Sequence, residues 1–219
     1  MEQETNGSPI MMVICNDKGF SEIYKSLMAN IVVIRTSSFS VLAALKAAGT
    51  ERPIILLTSG SPLAELARKR YERAQGRAVY PLLHILKTGG AAQSVGALIA
   101  YRPGQEVEEN LEEMESAANS ILVGSILPTS KKSKYLSIYG DEGSLPLTFE
   151  EAVVALVAEV TKGKEEGMLT LYLDMAKIGK KADAVTAAIV VDLERKYESL
   201  EIEVIPCEQK DTVAIVSLE

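Results

Sequence analysis

Short, unbroken apolar runs alternate with helix-patterned segments through the first third of the chain, and this alternation restricts the fold more than any other feature. Residues 9–15, 31–34 and 53–57 are runs rich in Ile, Val and Leu, each bounded by turn-forming residues. A run without polar alternation fits a strand covered on both faces, as in a parallel sheet. Residues 21–28, 37–48 and 63–75 follow these runs and carry apolar residues at helical spacing; Val41, Leu42 and Leu45 mark one face of the second. The order is β-α-β-α-β-α. It predicts an α/β fold of Rossmann-like type, a mostly parallel sheet with helices on both faces.

Later segments extend the theme. Residues 79–86 read as a fourth strand, Thr88-Gly89-Gly90 as a turn, and 91–101 as a small-residue segment. An acidic helix over 106–120 carries a narrow apolar stripe of Val107, Leu111, Met114, Ala118 and Ile121. Strands are expected at 121–127, 135–139 and 168–173, with a basic turn, Lys131-Lys132-Ser133-Lys134, between the first two. Thr148 and Glu151 have capping-box spacing and open a helix over 149–160. A further helix shows Val185, Ile189 and Leu193 on one face. Residues 202–207 and 212–218 are separated by a short link, which predicts a C-terminal antiparallel hairpin at a sheet edge. Residues 1–8 read as a flexible tail. Residues 9–219 form one α/β domain, or two lobes, 9–104 and 121–219, bridged by helix 105–120.

Composition removes several function classes. A net charge of −7 argues against duplex nucleic acid as a partner. The polar, acidic N-terminus is neither a secretory signal nor a transit peptide, and no apolar run approaches the ~20 residues that span a bilayer. A cytoplasmic protein with no membrane partner is expected. Two cysteines and one histidine exclude a metal site of the usual Cys/His zinc type. No metal or cofactor is called for. Cys15 and Cys207 read as buried free thiols and His84 as a core residue. Scarce Asn and Gln beside abundant Glu and Lys give the composition of a thermophile's protein.

Chemistry is expected at strand-to-helix loops, because ligands of doubly wound sheets bind beyond the carboxyl ends of the strands. Four loops qualify: 16–19, with Asn16 and Lys18; 36–38, with Ser37; 58–61, with Ser59 and Ser61; and 176–181, with Lys177, Gly179, Lys180 and Lys181. Asp174 closes the strand before the last. Hydroxyls, glycine amides and lysines suit a phosphate or carboxylate. Lysines at a helix start oppose the helix dipole by roughly 0.3–1 kcal/mol each, a cost that a bound anion would remove. The alternative is a solvated helix start. Gly179-Lys180-Lys181 is not a P-loop, since Asp174 stands at its first glycine position and Lys181 at its Ser/Thr position. No G-x-G-x-x-G follows a strand.

The run LTLYLDMAKIGKKADAVTAAIVV, within residues 140–219, resembles the signature of CARF domains, the Rossmann-like sensors of CRISPR-associated proteins. Asp174, Gly179, Lys180 or Lys181, and the small residues 184–188 stand in the corresponding roles. The loop departs from the family in having Ala176-Lys177-Ile178 where a Thr-Gly-Gly-like turn is expected. The resemblance implies a small anionic ligand, a cyclic oligonucleotide of the cyclic oligoadenylate class, bound across a homodimer; the chain would be a homo-oligomer. It further implies a stand-alone sensor or a metal-independent ring nuclease, with Lys180 or Lys181 stabilising charge and Ser59 or Ser61 positioning the ribose or phosphate. The rival readings are a non-catalytic metabolite-binding regulator, an assembly component whose contacts run through helix 106–120 and the C-terminal hairpin, and an isomerase using Cys15 and Cys207.

Overall fold

A computed structural model describes residues 8–49, 51–63, 65, 66, 69, 82–164 and 166–219. The expected tail lies outside these residues except for Ser8, as does most of the helix expected at 63–75. The chain divides into two compact units, Met1–Asn16 with Ser21–Asn119 and Asp17–Phe20 with Ser120–Glu219.

In the first unit, strands β1 (Ile10–Ile14), β2 (Val32–Ile34), β3 (Ile54–Leu57) and β4 (Leu83–Leu86) form a parallel sheet in the order β2-β1-β3-β4. Every residue of β3 is fully buried, as the unbroken apolar run required. Met12, Ile14, Ile54 and Leu56 meet Val41 and Leu45 of helix α2 (Ser38–Ala48). The alternate residues Met11, Val13, Ile55 and Leu57 are buried on the opposite face. Each such side chain contributes about 1.5–3 kcal/mol of apolar burial, so the sheet is a rigid base for the loops at its edge. Helices α1 (Lys18–Leu27), α3 (Ala91–Ala100) and α4 (Val107–Ser120) also lie before residue 121. In α4 the stripe buries Met114 and Ala118 together with Asn110, whose amide clamps the turn before the helix through Arg102 and Gln105.

The second unit holds β5 (Leu122–Pro128), β6 (Tyr135–Tyr139), β7 (Glu142–Gly143), α5 (Phe149–Val160), β8 (Gly167–Leu173), α6 (Met175–Ile178), α7 (Ala182–Lys196), β9 (Leu200–Pro206) and β10 (Ala214–Leu218). The sheet order is β7-β6-β5-β10-β8-β9. Helices α5 and α7 cover one face with Val153, Leu156, Val157, Ile189 and Leu193 over Leu169, Leu171 and Val216. The Thr148–Glu151 capping box forms as the spacing predicts, and hydrogen bonds from Thr148 hold the Glu151 carboxyl below its usual pKa.

The C-terminal hairpin does not form. β9 pairs parallel with β8, while β10 inserts between β5 and β8 and runs antiparallel to both. The link between β9 and β10 is short, but β10 is the most apolar late strand, with Ala214, Val216, Ser217 and Leu218 buried. A strand of that composition belongs in the middle of the sheet. β9, with alternating Glu201 and Glu203, tolerates an edge.

Candidate functional site

Three of the expected loops follow strands of the first sheet. Asn16 sits beyond β1, where its side-chain oxygen accepts from the Thr36 N–H at 2.8 Å and ties the loops after β1 and β2 together. Ser37 caps α2, accepting from the Ser40 N–H at 3.0 Å. Ser61 accepts from the Leu63 N–H at 3.3 Å. All three oxygens therefore do local structural work.

Ser59 is different. It occupies a four-residue turn closed by the Ser61 N–H on the Thr58 carbonyl, with φ of 45° at Ser59 and 78° at Gly60. A non-glycine residue in that region is strained by roughly 1–2 kcal/mol. The turn lifts the Ser59 hydroxyl onto two buried hydroxyls from the loop and helix after β4. Its Oγ lies 2.6 Å from Ser94 Oγ, which lies 2.7 Å from Thr88 Oγ1. Thr88 Oγ1 also accepts from the Ser59 N–H at 2.9 Å, and the Tyr24 hydroxyl stands 3.4 Å from Ser59 Oγ. Ser94 and Thr88 are almost fully buried and Ser59 is half-buried, so Ser59 is the exposed end of the chain of hydroxyls.

The proton count matters. Thr88 can donate to Ser94, and Ser94 to either the Gly90 carbonyl at 3.1 Å or Ser59. When Ser94 donates to Ser59, the Ser59 proton either points outward or makes the long 3.4 Å contact to the Tyr24 hydroxyl, whose own proton goes to the Ala91 carbonyl at 3.0 Å. The same corner is the start of α3, whose N-cap is Gly90 with no side chain to satisfy the first-turn amides. Gly89 is held there by Gln93, whose amide oxygen accepts the Gly89 N–H at 2.6 Å. The arrangement offers neutral donors, hydroxyls and amides, to an anion.

The second unit treats its donors otherwise. Asp174 is buried and caps α6, accepting the Lys177 and Gln209 N–H groups, both at 3.1 Å. Lys177 Nζ lies 3.5 Å from that carboxylate and donates to the carbonyls of Gln209, Lys210 and Thr212. Gly179, at φ 102°, ends α6. The Lys180 and Lys181 side chains are exposed and make no hydrogen bond or ion pair among the described residues. Lys18 lies in an exposed pair with Glu208 at 3.0 Å. Cys15 and Cys207 are buried and not joined in a disulfide. Among the described residues no group of three His, Cys, Asp or Glu could hold a metal ion, and no helix is long and apolar enough to cross a membrane.

Sequence reasoning placed Ser59 and missed Thr88, Ser94 and Tyr24. The signal was there for one of them: Thr88-Gly89-Gly90 ends an apolar run and opens a helix, as the loop at 58–61 does.

Residues 10–219 match the FakA-like C-terminal family, named for the C-terminal part of the FakA component of fatty acid kinase. The chain belongs to that family. The CARF resemblance is thereby overturned, and with it the CRISPR association, the cyclic oligoadenylate and the ring-nuclease chemistry; a strand, a basic turn and a small-residue helix recur on unrelated α/β folds. No curated protein matches in sequence. Solved structures share the fold. The fatty acid kinase B3 protein of Streptococcus pneumoniae, loaded with linoleic acid, is 10% identical with TM-score 0.61, over 97% of this chain and 99% of that one. A fatty-acid-binding DegV family protein from Thermus thermophilus is 12% identical with TM-score 0.59, over 97% and 100%. The dihydroxyacetone kinase of C. freundii, in complex with AMP-PNP and Mg2+, is 14% identical with TM-score 0.62, over 97% of this chain and 48% of that one.

Proposed function

We propose that the first unit binds a small anionic ligand through the Ser59–Ser94–Thr88 hydroxyls, and that the ligand is the carboxylate of a fatty acid. The observation that carries this reading is the strained Ser59, the half-buried member of an otherwise buried set of hydroxyls, beside a glycine-capped helix start. Strain of this kind persists where the surrounding structure enforces it, and it clusters at ligand sites. Donors that are all neutral suit a monoanionic carboxylate better than a phosphate dianion, whose sites draw on Lys or Arg. Two structures of this fold that hold or bind fatty acids support the choice of carboxylate.

The test is calorimetric titration with decanoate, matched against decanol and decyl phosphate. Decanoate is expected to bind and decanol to lose about ten-fold or more, as loss of a hydrogen bond to a charged group implies. Ser59→Gly removes the hydroxyl and relieves the positive φ together. It is expected to keep or raise thermal stability while weakening decanoate about ten-fold. Equal binding of decanol, or a Ser59→Gly protein that binds decanoate normally, would overturn the reading.

A further inference from the structure

We infer a second site, in the second unit, for a small organic cation bearing a primary ammonium group. A cavity of about 310 Å³ lies between the β6–β7 hairpin and the C-terminal half of α5, lined by Ser137, Tyr139, Glu142, Ser144, Ala155 and Glu159 among others. It exists because the walls are small. Gly143 and Ser144 on the hairpin face Ala155 and Ala158 on the helix, so no side chain fills the space.

Ser137 points to a ligand. Its backbone is satisfied, with the N–H on Ser144 Oγ and the carbonyl accepting the Ser144 N–H. The residue is only 7% exposed, and among the described residues nothing hydrogen-bonds its Oγ. A buried hydroxyl without a partner is a defect that native structures fill with a ligand or water. Strand alternation places Ser137 on the α5 side of β6, with Tyr135 and Tyr139, which pack on the core beneath α5.

The charge at the cavity is one-signed. Glu142 and Glu159 are exposed at its wall, and neither forms an ion pair among the described residues. Glu159 also lies in the last turn of α5, which carries no basic residue. A carboxylate there opposes the helix dipole, whereas a cation is favoured by the helix end and both carboxylates. The Tyr139 ring adds an aromatic wall suited to an ammonium group. The donor and acceptor set thus matches a group with several N–H donors and one positive charge: ammonium to the glutamates, one N–H to Ser137 Oγ.

The test uses n-butylammonium chloride, with n-butanol and butyrate as neutral and anionic matches, followed by backbone amide shifts of the full chain. Saturable shifts at Gly143, Ser144, Ala158 and Glu159 with n-butylammonium alone are expected. The double variant Glu142→Gln, Glu159→Gln, exposed at both positions, is expected to weaken binding by about ten-fold or more. Ser137→Ala should weaken it by about three-fold or more with no loss of thermal stability, since the hydroxyl has no partner to lose. Equal shifts with n-butanol, shifts that never saturate, or an unchanged affinity in the double glutamine variant would overturn the site. Decanoate binding by the first unit is independent of every one of these outcomes.

Discussion

The loop after β3 and the loop after β8 begin alike and end differently. Each leaves a strand whose C-terminal end is buried, each turns within a few residues and each is dense in donors. After β8 the donors are consumed. Asp174 takes two backbone N–H groups, Lys177 takes three carbonyls, and the two are paired with each other. After β3 the hydroxyls form a chain whose half-buried member, Ser59, has only a long contact, 3.4 Å to the Tyr24 hydroxyl, on its far side. Donor-rich sequence therefore does not mark a binding site by itself. What separates the two loops is whether the groups have already satisfied one another.

The sharpest break in this comparison comes from Asp174→Ala. The variant removes the cap of α6, orphans the Gln209 N–H and leaves Lys177 without its carboxylate, so about 2–4 kcal/mol of stability should go. Urea unfolding measures it; a loss below about 0.5 kcal/mol would show that the cluster is not the structural clamp described. Gly19→Ala attacks the same clamp from the other side. A Cβ at Gly19 would lie 2.5 Å from Glu208 N and 2.6 Å from Cys207 Sγ, and the backbone atom cannot swing away, so about 1–3 kcal/mol of overpacking is expected.

Next in size is Gly60→Ala. At φ 78°, with a Cβ placed 2.8 Å from the Gly89 carbonyl, the substitution should cost about 1–2 kcal/mol and push the Ser59 turn away from Ser94. Decanoate affinity should fall in parallel. A protein that loses the stability and keeps the affinity would detach the strained turn from binding.

Tyr172 gives a pH-dependent comparison within the second unit. Burial pushes its phenol up to about 12, against a smaller opposing effect of the hydrogen bond with Ser217. The folded pKa is above the unfolded value near 10. The stabilisation is therefore complete below pH 10 and is lost as pH climbs from 10 to 12, at up to about 1.4 kcal/mol per pH unit. Tyr172→Phe should remove that component of the alkaline slope. An unchanged slope would mean that the ring is less buried in solution than beneath Phe20, whose ring centroid lies 4.9 Å away.

Much of the first sheet was legible because β1 and β3 are buried on both faces, and such strands announce themselves as unbroken apolar runs. The capping box at Thr148 was legible because its chemistry is local. The position of β10 was not. Strand order depends on which partner offers a matching face, and a short link to β9 misleads when the apolar strand is drawn to the centre. The candidate site was half legible for the same reason. Ser59 announces a strand-end turn, but its partners Thr88 and Ser94 are 29 and 35 residues away, joined only by the pairing of β3 with β4. Saturation of a donor is a tertiary property, so Lys177, Lys180 and Lys181 looked equivalent when they are not.

That inequivalence yields the smallest expected effect and a direct check on the contrast between the loops. Lys180 and Lys181 precede α7, and their exposed side chains hold nothing among the described residues. As positive charges at a helix start they oppose the dipole, so the double variant Lys180→Ala, Lys181→Ala should change stability by no more than about 0.5 kcal/mol, with any change on the stabilising side. Decanoate affinity should not move, because Ser59 and not this loop carries the proposed carboxylate contact. Lys177→Met, three residues earlier, should destabilise by about 2–3 kcal/mol through the stranded carbonyls of Lys210 and Thr212 and the buried Asp174. If the exposed pair proves the costly one and Lys177 the silent one, the loop after β8 is not a closed clamp, and its lysines return as candidates for an anion.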